Sequence, residues 1–329
     1  MGMVLKVKNL KITLKGKRQF CPVENVSFEV DTAETLALVG ESGSGKSMTA
    51  LSIMGLLQSW NSYLKASIEG SIELVARNGN SFLLNQIKDE EYDRIRGKDL
   101  SIIFQEPSSV LNPVVSIGNQ LLEVIMAHEN ISKKDAAAKC IALLARVGIP
   151  DAADRFNFFP HQFSGGQLQR IMIAIAIACD PVCLIADEPT TALDVTIQAQ
   201  ILELLKRLQR ENNMAILLIT HDLGIVSQFA DKVAVMYSGY ILEYGTVDDI
   251  FDNPVHPYTQ LLLKSIPTLD TIPGEKLMIK EDFLSLHDKR PGDIIFDPDN
   301  RKGAGFKKIN GKHYVSPVFT REHSCNDVL

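Results

Sequence analysis

The chain has 329 residues, 45% of them apolar, which is enough to bury a core in one large domain or two smaller ones. Its formal net charge of −6 argues against the basic surface typical of nucleic-acid binding. Five scattered cysteines do not form the pattern of a disulfide framework and favour a reduced, cytosolic setting. We expect no signal peptide and no membrane-spanning helix, because no apolar run has the necessary form or length.

The N-terminal third predicts strands. Residues 4–14 and 26–30 alternate apolar and polar side chains, and residues 68–84 contain short strands around an Asn78-Gly79 turn. Residues 35–39 are continuously apolar, as in a buried parallel strand.

A glycine-rich loop follows this apolar strand and enters a predicted helix. Its glycines let the backbone curl so that N–H groups surround phosphate oxygens, and the helix dipole adds positive potential. Lys46 is expected to reach the β- and γ-phosphates, and the Ser47 hydroxyl to bind Mg²⁺. The alternative is a plain Gly/Ser turn. The pattern Gly-x-x-x-x-Gly-Lys-Ser has four fixed positions, here Gly40, Gly45, Lys46 and Ser47, and it arises by chance in a chain of this length only about 1% of the time. The candidate nucleotide-binding residues here are Gly40, Glu41, Ser42, Gly43, Ser44, Gly45, Lys46, Ser47 and Met48.

The remaining sequence first predicts helices and then an alternation of helices and strands. Ser132 is a helix-start signal and Gly148 a helix stop. Alternation of this kind predicts a mainly parallel sheet. Beyond residue 267 periodicity is lost, and we interpret that tail as a small appended module. The predicted helices are 116–128, 133–147, 167–179 and 196–210, and the predicted strands are 182–186, 215–219, 233–237 and 240–243.

Two further segments carry groups suited to phosphate chemistry. Asp187 and Glu188 end an apolar strand, where the first carboxylate can hold Mg²⁺ and the second can position and deprotonate water. Alone, such a pair is often a solvated strand end. Residues 163–167 read Phe-Ser-Gly-Gly-Gln and open a helix, either as an ordinary N-cap or as a second phosphate-binding helix start that serves a partner chain.

In this order, over residues 3–267, these motifs resemble those of the ATP-binding subunit of an ABC transporter. The resemblance implies an α/β fold: a P-loop NTPase (ABC ATPase) with a RecA-like parallel-sheet core, an N-terminal antiparallel β subdomain and an inserted α-helical subdomain at about 105–170. The matching motifs are the Walker A loop 40–47, the Q-loop Gln105, the signature 163–167, the Walker B Asp187, the catalytic Glu188, the D-loop 192–194 and the switch His221.

The resemblance also implies roles for these residues. Glu188, His221 and Gln105 are expected to be catalytic, and Ser47, Gln105 and Asp187 to bind Mg²⁺. Two cassettes would close head to tail around ATP. The residues expected to face the nucleotide of the second cassette are Ser164, Gly165, Gly166, Gln167 and Asp194.

The subfamily can be narrowed by residues 104–120 and 253–263, which are similar to the oligopeptide, dipeptide and nickel importer group, as is an appended segment at 268–329. This similarity implies peptide import at the cytoplasmic face of the membrane. The expected partners are two transmembrane permease subunits, a second ATPase chain (identical or different) and, indirectly, a solute-binding protein, but no nucleic acid. Import of nickel or metal chelates is the first alternative, and a soluble ABC ATPase outside transport is the second.

The chain departs from the family at two places. The aromatic residue that stacks on adenine in many cassettes aligns with Leu14, and Phe20 is a possible substitute. Only Cys325 lies in the tail, so we predict no iron–sulfur cluster, which would need four cysteine ligands.

Overall fold

The structure, a computed structural model, describes residues 2–15, 19–59, 66–191, 193–265, 307–311 and 313–315. The strands are β1 (Met3–Lys15), β2 (Gln19–Asp31), β3 (Thr35–Val39), β4 (Ala66–Val75), β5 (Ser81–Leu83), β6 (Leu100–Ile103), β7 (Cys183–Asp187), β8 (Ala215–Thr220), β9 (Lys232–Tyr237), β10 (Tyr240–Thr246), β11 (Lys307–Asn310) and β12 (His313–Val315).

The helices alternate with the later strands, as the sequence predicts. Two 3₁₀ turns, Leu84–Gln86 and Pro160–Gln162, accompany them. The α-helices are α1 (Lys46–Ile53), α2 (Leu56–Ser59), α3 (Asp89–Ile95), α4 (Pro107–Val110), α5 (Ile117–His128), α6 (Lys133–Arg146), α7 (Ala152–Arg155), α8 (Gly165–Ala176), α9 (Val195–Asn212), α10 (Leu223–Phe229), α11 (Val247–Asp252) and α12 (Pro257–Lys264).

The larger sheet has the order β11-β12-β10-β9-β3-β8-β7-β6. Its strands β9, β3, β8, β7 and β6 run parallel to one another. Strand β3 is buried along its whole length, which explains its continuous apolar run. Because the carboxyl ends of parallel strands meet at one edge of a sheet, the residues after β3, β7 and β8 converge there.

The smaller sheet is antiparallel, with the order β2-β1-β4-β5, and the Asn78-Gly79 turn lies between β4 and β5 as predicted. A helical segment, α4 to α8, lies in sequence between β6 and β7. Ser132 caps α6 by accepting the backbone N–H of Asp135, and Gly148 follows α6 with a φ of 88°. These local signals are confirmed, and the α/β class with an antiparallel N-terminal sheet agrees with the expected fold.

The C-terminal strands β11 and β12 were not foreseen from the sequence. Strand β12 pairs antiparallel with β10 and extends the larger sheet. His313 is fully buried and its Nε2 lies 2.8 Å from Oε1 of the equally buried Glu243. Part of the appended segment therefore belongs to the larger sheet, the sheet that contains β3. Its other residues, including Cys325, lie outside the described residues, and the domain limits of 3–267 and 268–329 stay a prediction.

Within the described residues, every helix is too short or too polar to cross a bilayer. Cys183 is fully buried in β7 and Cys179 is half-buried beside α5, where its sulfur approaches the Val124 carbonyl. Both cysteines pack among apolar core residues.

Candidate nucleotide-binding site

The glycine-rich loop occupies the carboxyl end of β3, where it enters α1. Gly45 caps α1 with a φ of 107°, which L side chains rarely adopt. A Cβ built there would lie 2.3 Å from the Pro22 carbonyl oxygen, so β2 leaves no room for a side chain. The loop is thus pressed against β2 on one side, while its Ser42 and Gly43 face solvent.

Lys46 is held inside the loop. It is only 5% exposed, and its ammonium donates to the carbonyls of Gly40 and Glu41 at 2.7 and 2.8 Å, with Ser44 Oγ at 3.4 Å. Burial lowers the pKa of Lys46, while the carboxylates of Glu188 and Asp187 act in the opposite direction. The lysine is therefore a cation placed at the centre of a ring of loop atoms, beside two acidic groups.

Ser47 and Asp187 meet although 140 positions separate them in the sequence. The Ser47 hydroxyl donates to Asp187 Oδ1 at 3.3 Å. Burial raises the pKa of Asp187, and the hydroxyl bond opposes that rise. A hydroxyl and a partly buried carboxylate are oxygen ligands of the kind that Mg²⁺ prefers, so this pair fits that cation.

Glu188 follows β7 with a φ of 48°, a left-handed conformation that costs a non-glycine residue about 1 kcal/mol. Its backbone N–H donates to Ile219 O at 2.8 Å, which holds this turn against β8. Gln105 Nε2 donates to Glu188 Oε2 at 2.9 Å, and His221 Nδ1 lies 3.0 Å from Oε1. The structure thus brings together three side chains that the sequence predicted to act jointly.

Thr191 is a member of this cluster that the sequence analysis missed. Its hydroxyl donates to Glu188 Oε2 at 3.0 Å, so the same oxygen accepts from Gln105 and Thr191. The sequence signal for this contact is a hydroxyl residue three positions after Glu188. The turn that brings the two side chains together cannot be predicted from the composition of residues 188–191.

The segment that begins at Ser164 forms the hydrogen bonds of a helix cap. Ser164 and Gln167 form a reciprocal capping box that starts α8, and Ser164 and Gly165 are exposed. Asp194 likewise caps α9 by accepting the Ile197 N–H at 3.0 Å. Each is an ordinary helix cap within one chain, and the expected contact with a second chain's nucleotide stays a prediction.

Leu14 and Phe20, the two candidates near the adenine position, pair across the β1–β2 hairpin. Phe20 is 61% exposed, and Pro22 on the same strand touches the phosphate loop at Gly45. Phe20 is therefore an exposed aromatic residue two positions before Pro22, the residue that contacts the loop, while Leu14 offers no aromatic face.

Comparison with known proteins agrees with this geometry. The family described as "ABC transporter" matches residues 23–191, just over half of the chain. A second family, described as "Oligopeptide/dipeptide transporter, C-terminal region", matches residues 242–282.

Several known proteins are similar to this chain over most of their length. An oligopeptide transport ATP-binding protein, AppD of Bacillus subtilis, is 52% identical over 271 residues, 82% of this chain and 80% of that protein. A dipeptide transport ATP-binding protein, DppD of Lactococcus lactis, is 50% identical over 82% of this chain and 75% of its own length. Among solved structures, a dimeric post-hydrolysis state of the ATP-binding cassette MJ0796 bound to ADP and Pi matches with a TM-score of 0.63 and 26% identity, covering 74% of this chain and 98% of that one.

Proposed function

The chain belongs to the ABC transporter family of ATP-binding subunits, and from this premise we propose that it binds and hydrolyses ATP to drive peptide import. The observation that carries the proposal is the junction of the phosphate loop with Asp187, Glu188, Gln105 and His221 at one sheet edge. Its similarity to oligopeptide and dipeptide transport subunits supports peptides as the cargo.

The phosphates of ATP bind at the start of α1. Loop N–H groups and the helix dipole attract them, and Lys46 supplies the positive charge that compensates the β- and γ-phosphates. Ser47, Asp187 and Gln105 are the residues that hold Mg²⁺, which neutralises phosphate charge when it is bound. The hydrogen bond from Ser47 to Asp187 supports this assignment, because it places the two oxygens 3.3 Å apart.

Hydrolysis uses Glu188 as the group that positions and deprotonates the attacking water. His221 lies against the same carboxylate and stabilises the charge that develops on the transferred phosphoryl group. Gln105 uses its Nε2 to donate to Glu188 at 2.9 Å, so its amide oxygen Oε1 is the atom that would bind Mg²⁺.

Two such subunits act together. The nucleotide of the opposing cassette is served by Ser164, Gly165, Gly166, Gln167 and Asp194. Ser164, Gly165 and Asp194 are exposed, so a second chain can reach them. The similarity to a dimeric cassette bound to ADP and Pi supports this assembly. Closure on ATP and opening after hydrolysis form a two-state switch.

The switch works on membrane-embedded partners. We assign the chain to the cytoplasmic face of the membrane, bound to two permease subunits, with a solute-binding protein supplying the peptide on the other side. The second ATPase chain is either a copy of this one or a homologous subunit.

Purification of the tagged full-length chain from gently solubilised native membranes tests the proposal. We expect two multispanning subunits, a second ATPase chain and a peptide-binding protein to copurify, and the ATPase activity of the complex to rise with that binding protein and its peptide. A copurifying binding protein that takes metal chelates and not peptides would contradict the cargo. Recovery with ribosomal or DNA-associated proteins would contradict transport altogether.

A further inference from the structure

The hairpin formed by β9 and β10 ends beside the phosphate loop, and none of the roles assigned above uses it. Its two-residue turn consists of Ser238 and Gly239, whose φ angles of 48° and 89° are both left-handed. Gly239 is buried although it lies in a hairpin turn, where residues usually face solvent. The turn is therefore packed against another part of the protein.

Gly239 forms a backbone bridge between the phosphate loop and β2. Its N–H donates to the Ser44 carbonyl at 2.9 Å, and its own carbonyl accepts the Glu24 N–H at 2.8 Å. A Cβ at Gly239 would lie 3.2 Å from both Glu24 N and the Pro22 carbonyl oxygen. A side chain at this position would consequently push the turn away from β2.

The strand before the turn meets the loop at two more positions. A Cβ on Gly40 would clash with the carbonyl oxygen of Met236. The Met236 side chain is fully buried, and its Cε would lie 2.8 Å from a Cβ on Gly45. Two glycines of the loop therefore leave space for the hairpin, in addition to letting the loop curl around phosphate.

The bond from Gly239 fixes the orientation of one peptide unit of the loop. In a trans peptide the C=O of one residue and the N–H of the next point in opposite directions. Because the Ser44 carbonyl is directed at the hairpin, the Gly45 N–H is directed away from it. Gly45 is the N-cap of α1, so the helix itself provides no acceptor for this N–H, which is available to an anion.

We propose that the β9–β10 hairpin positions the phosphate loop for nucleotide binding, with Gly239 as the positioning residue that holds the Ser44–Gly45 peptide so that the Gly45 N–H faces phosphate. This inference rests on the proposed function, which assigns the loop to nucleotide phosphate. A donor that is oriented before the ligand arrives loses less conformational entropy on binding. Because Glu24 holds the other side of Gly239, the same bridge keeps β2 at a fixed distance from the loop.

The test compares Gly239→Ala with Gly79→Ala in the full-length chain, by isothermal titration calorimetry with Mg²⁺-ADP. Gly79 is the matched control, because it also lies between two strands with a φ of 84°, and a Cβ there would have no described atom within 4 Å. Both variants carry the same left-handed strain, but only at Gly239 does the added Cβ press on β2 and move the donor. We expect the Kd for ADP to rise about three- to tenfold in Gly239→Ala, as for one lost hydrogen bond, and to stay within about twofold in Gly79→Ala.

A second pair of variants covers the case in which Gly239→Ala does not fold. Met236→Leu shortens the side chain that reaches Gly45 while conserving its volume, and is expected to raise the Kd for ADP about two- to fivefold. Met214→Leu is its control, since Met214 is equally buried but precedes β8, at the sheet edge opposite the phosphate loop. This control is expected to bind ADP like wild type.

A spectroscopic signature separates positioning from general destabilisation. In the ¹⁵N-glycine-labelled chain, the Gly45 amide proton resonance is expected to move downfield when ADP binds to wild type or Gly79→Ala, and to move less in Gly239→Ala. Unchanged ADP affinity in Gly239→Ala, or in Met236→Leu where the first variant does not fold, would overturn the inference and leave the proposed function intact. Equal losses in the control variants would do the same. Failure of the wild-type chain to bind ADP would instead refute the proposed function.

Discussion

Thr191→Val is the perturbation that most directly examines the cluster around Glu188. Valine keeps the shape and β-branching of threonine but removes the hydroxyl that donates to Glu188 Oε2 at 3.0 Å. Hydrogen bonds to charged groups contribute about 1.5–3 kcal/mol, and exposure of Thr191 reduces this toward about 1–1.5 kcal/mol. Gln105 and His221 still hold the Glu188 carboxylate in this variant, so the carboxylate is not displaced. Its position only becomes less fixed.

We therefore expect kcat for ATP hydrolysis to fall about five- to tenfold in Thr191→Val. KM for ATP should stay within about twofold, because the described hydroxyl bonds Glu188 and not the phosphate loop. The assay is phosphate release by the purified transporter at saturating and limiting ATP. Thr191→Ser is the matched control, since it keeps the hydroxyl and should retain most of the activity.

A different pattern would refute this reasoning. If Thr191→Val and Thr191→Ser lose the same activity, the hydroxyl has no role. If the valine variant raises KM and leaves kcat unchanged, Thr191 acts on nucleotide binding and not on Glu188.

Three other changes have defined outcomes. Glu188→Gln should lower kcat by at least about 100-fold and accumulate an ATP-bound dimer by gel filtration, whereas undiminished turnover would remove Glu188 as the base. Gly45→Ala should abolish ADP binding, because the added Cβ would lie 2.3 Å from Pro22 O. Gly43→Ala has no atom within 4 Å of the added Cβ and should lower the free energy of unfolding by only about 1–2 kcal/mol in chemical denaturation. Equal effects of the two variants would contradict the contact argument. Asp187→Asn should raise the unfolding midpoint of the chain, measured without nucleotide at neutral pH. The pKa of Asp187 is raised in the folded chain, so its ionised form destabilises the fold above that pKa and protonation at lower pH relieves this cost. An unchanged midpoint in Asp187→Asn would contradict this reasoning.

Much of the nucleotide loop could be predicted from local sequence. The apolar run of β3, the glycines that follow and the start of α1 are neighbours in the chain, and their backbone preferences alone define a strand, a turn and a helix start. Helix limits at Ser132 and Gly148 have the same origin, because a cap depends on residues within one turn. The order of the motifs was sufficient to recognise the family.

Other predictions concern contacts with a second cassette or with adenine. The roles of Ser164 to Gln167 and of Asp194 toward a second chain stay predictions, since both segments act here as helix caps. The adenine contact also stays open between Leu14 and Phe20, which share one hairpin.

The sequence by itself determined the phosphate loop and the alternation of strands and helices after residue 167, because each follows from periodicity or from residues close together in the chain, and the order of its motifs carried the resemblance to the family. Only the tertiary structure decided that Thr191 joins Gln105 and His221 on Glu188, and that His313 ties β12 to Glu243. Those contacts join residues on elements far apart in the sequence. They exist because parallel strands align their carboxyl ends and because the added strands pair at a free sheet edge, and no local pattern records either event.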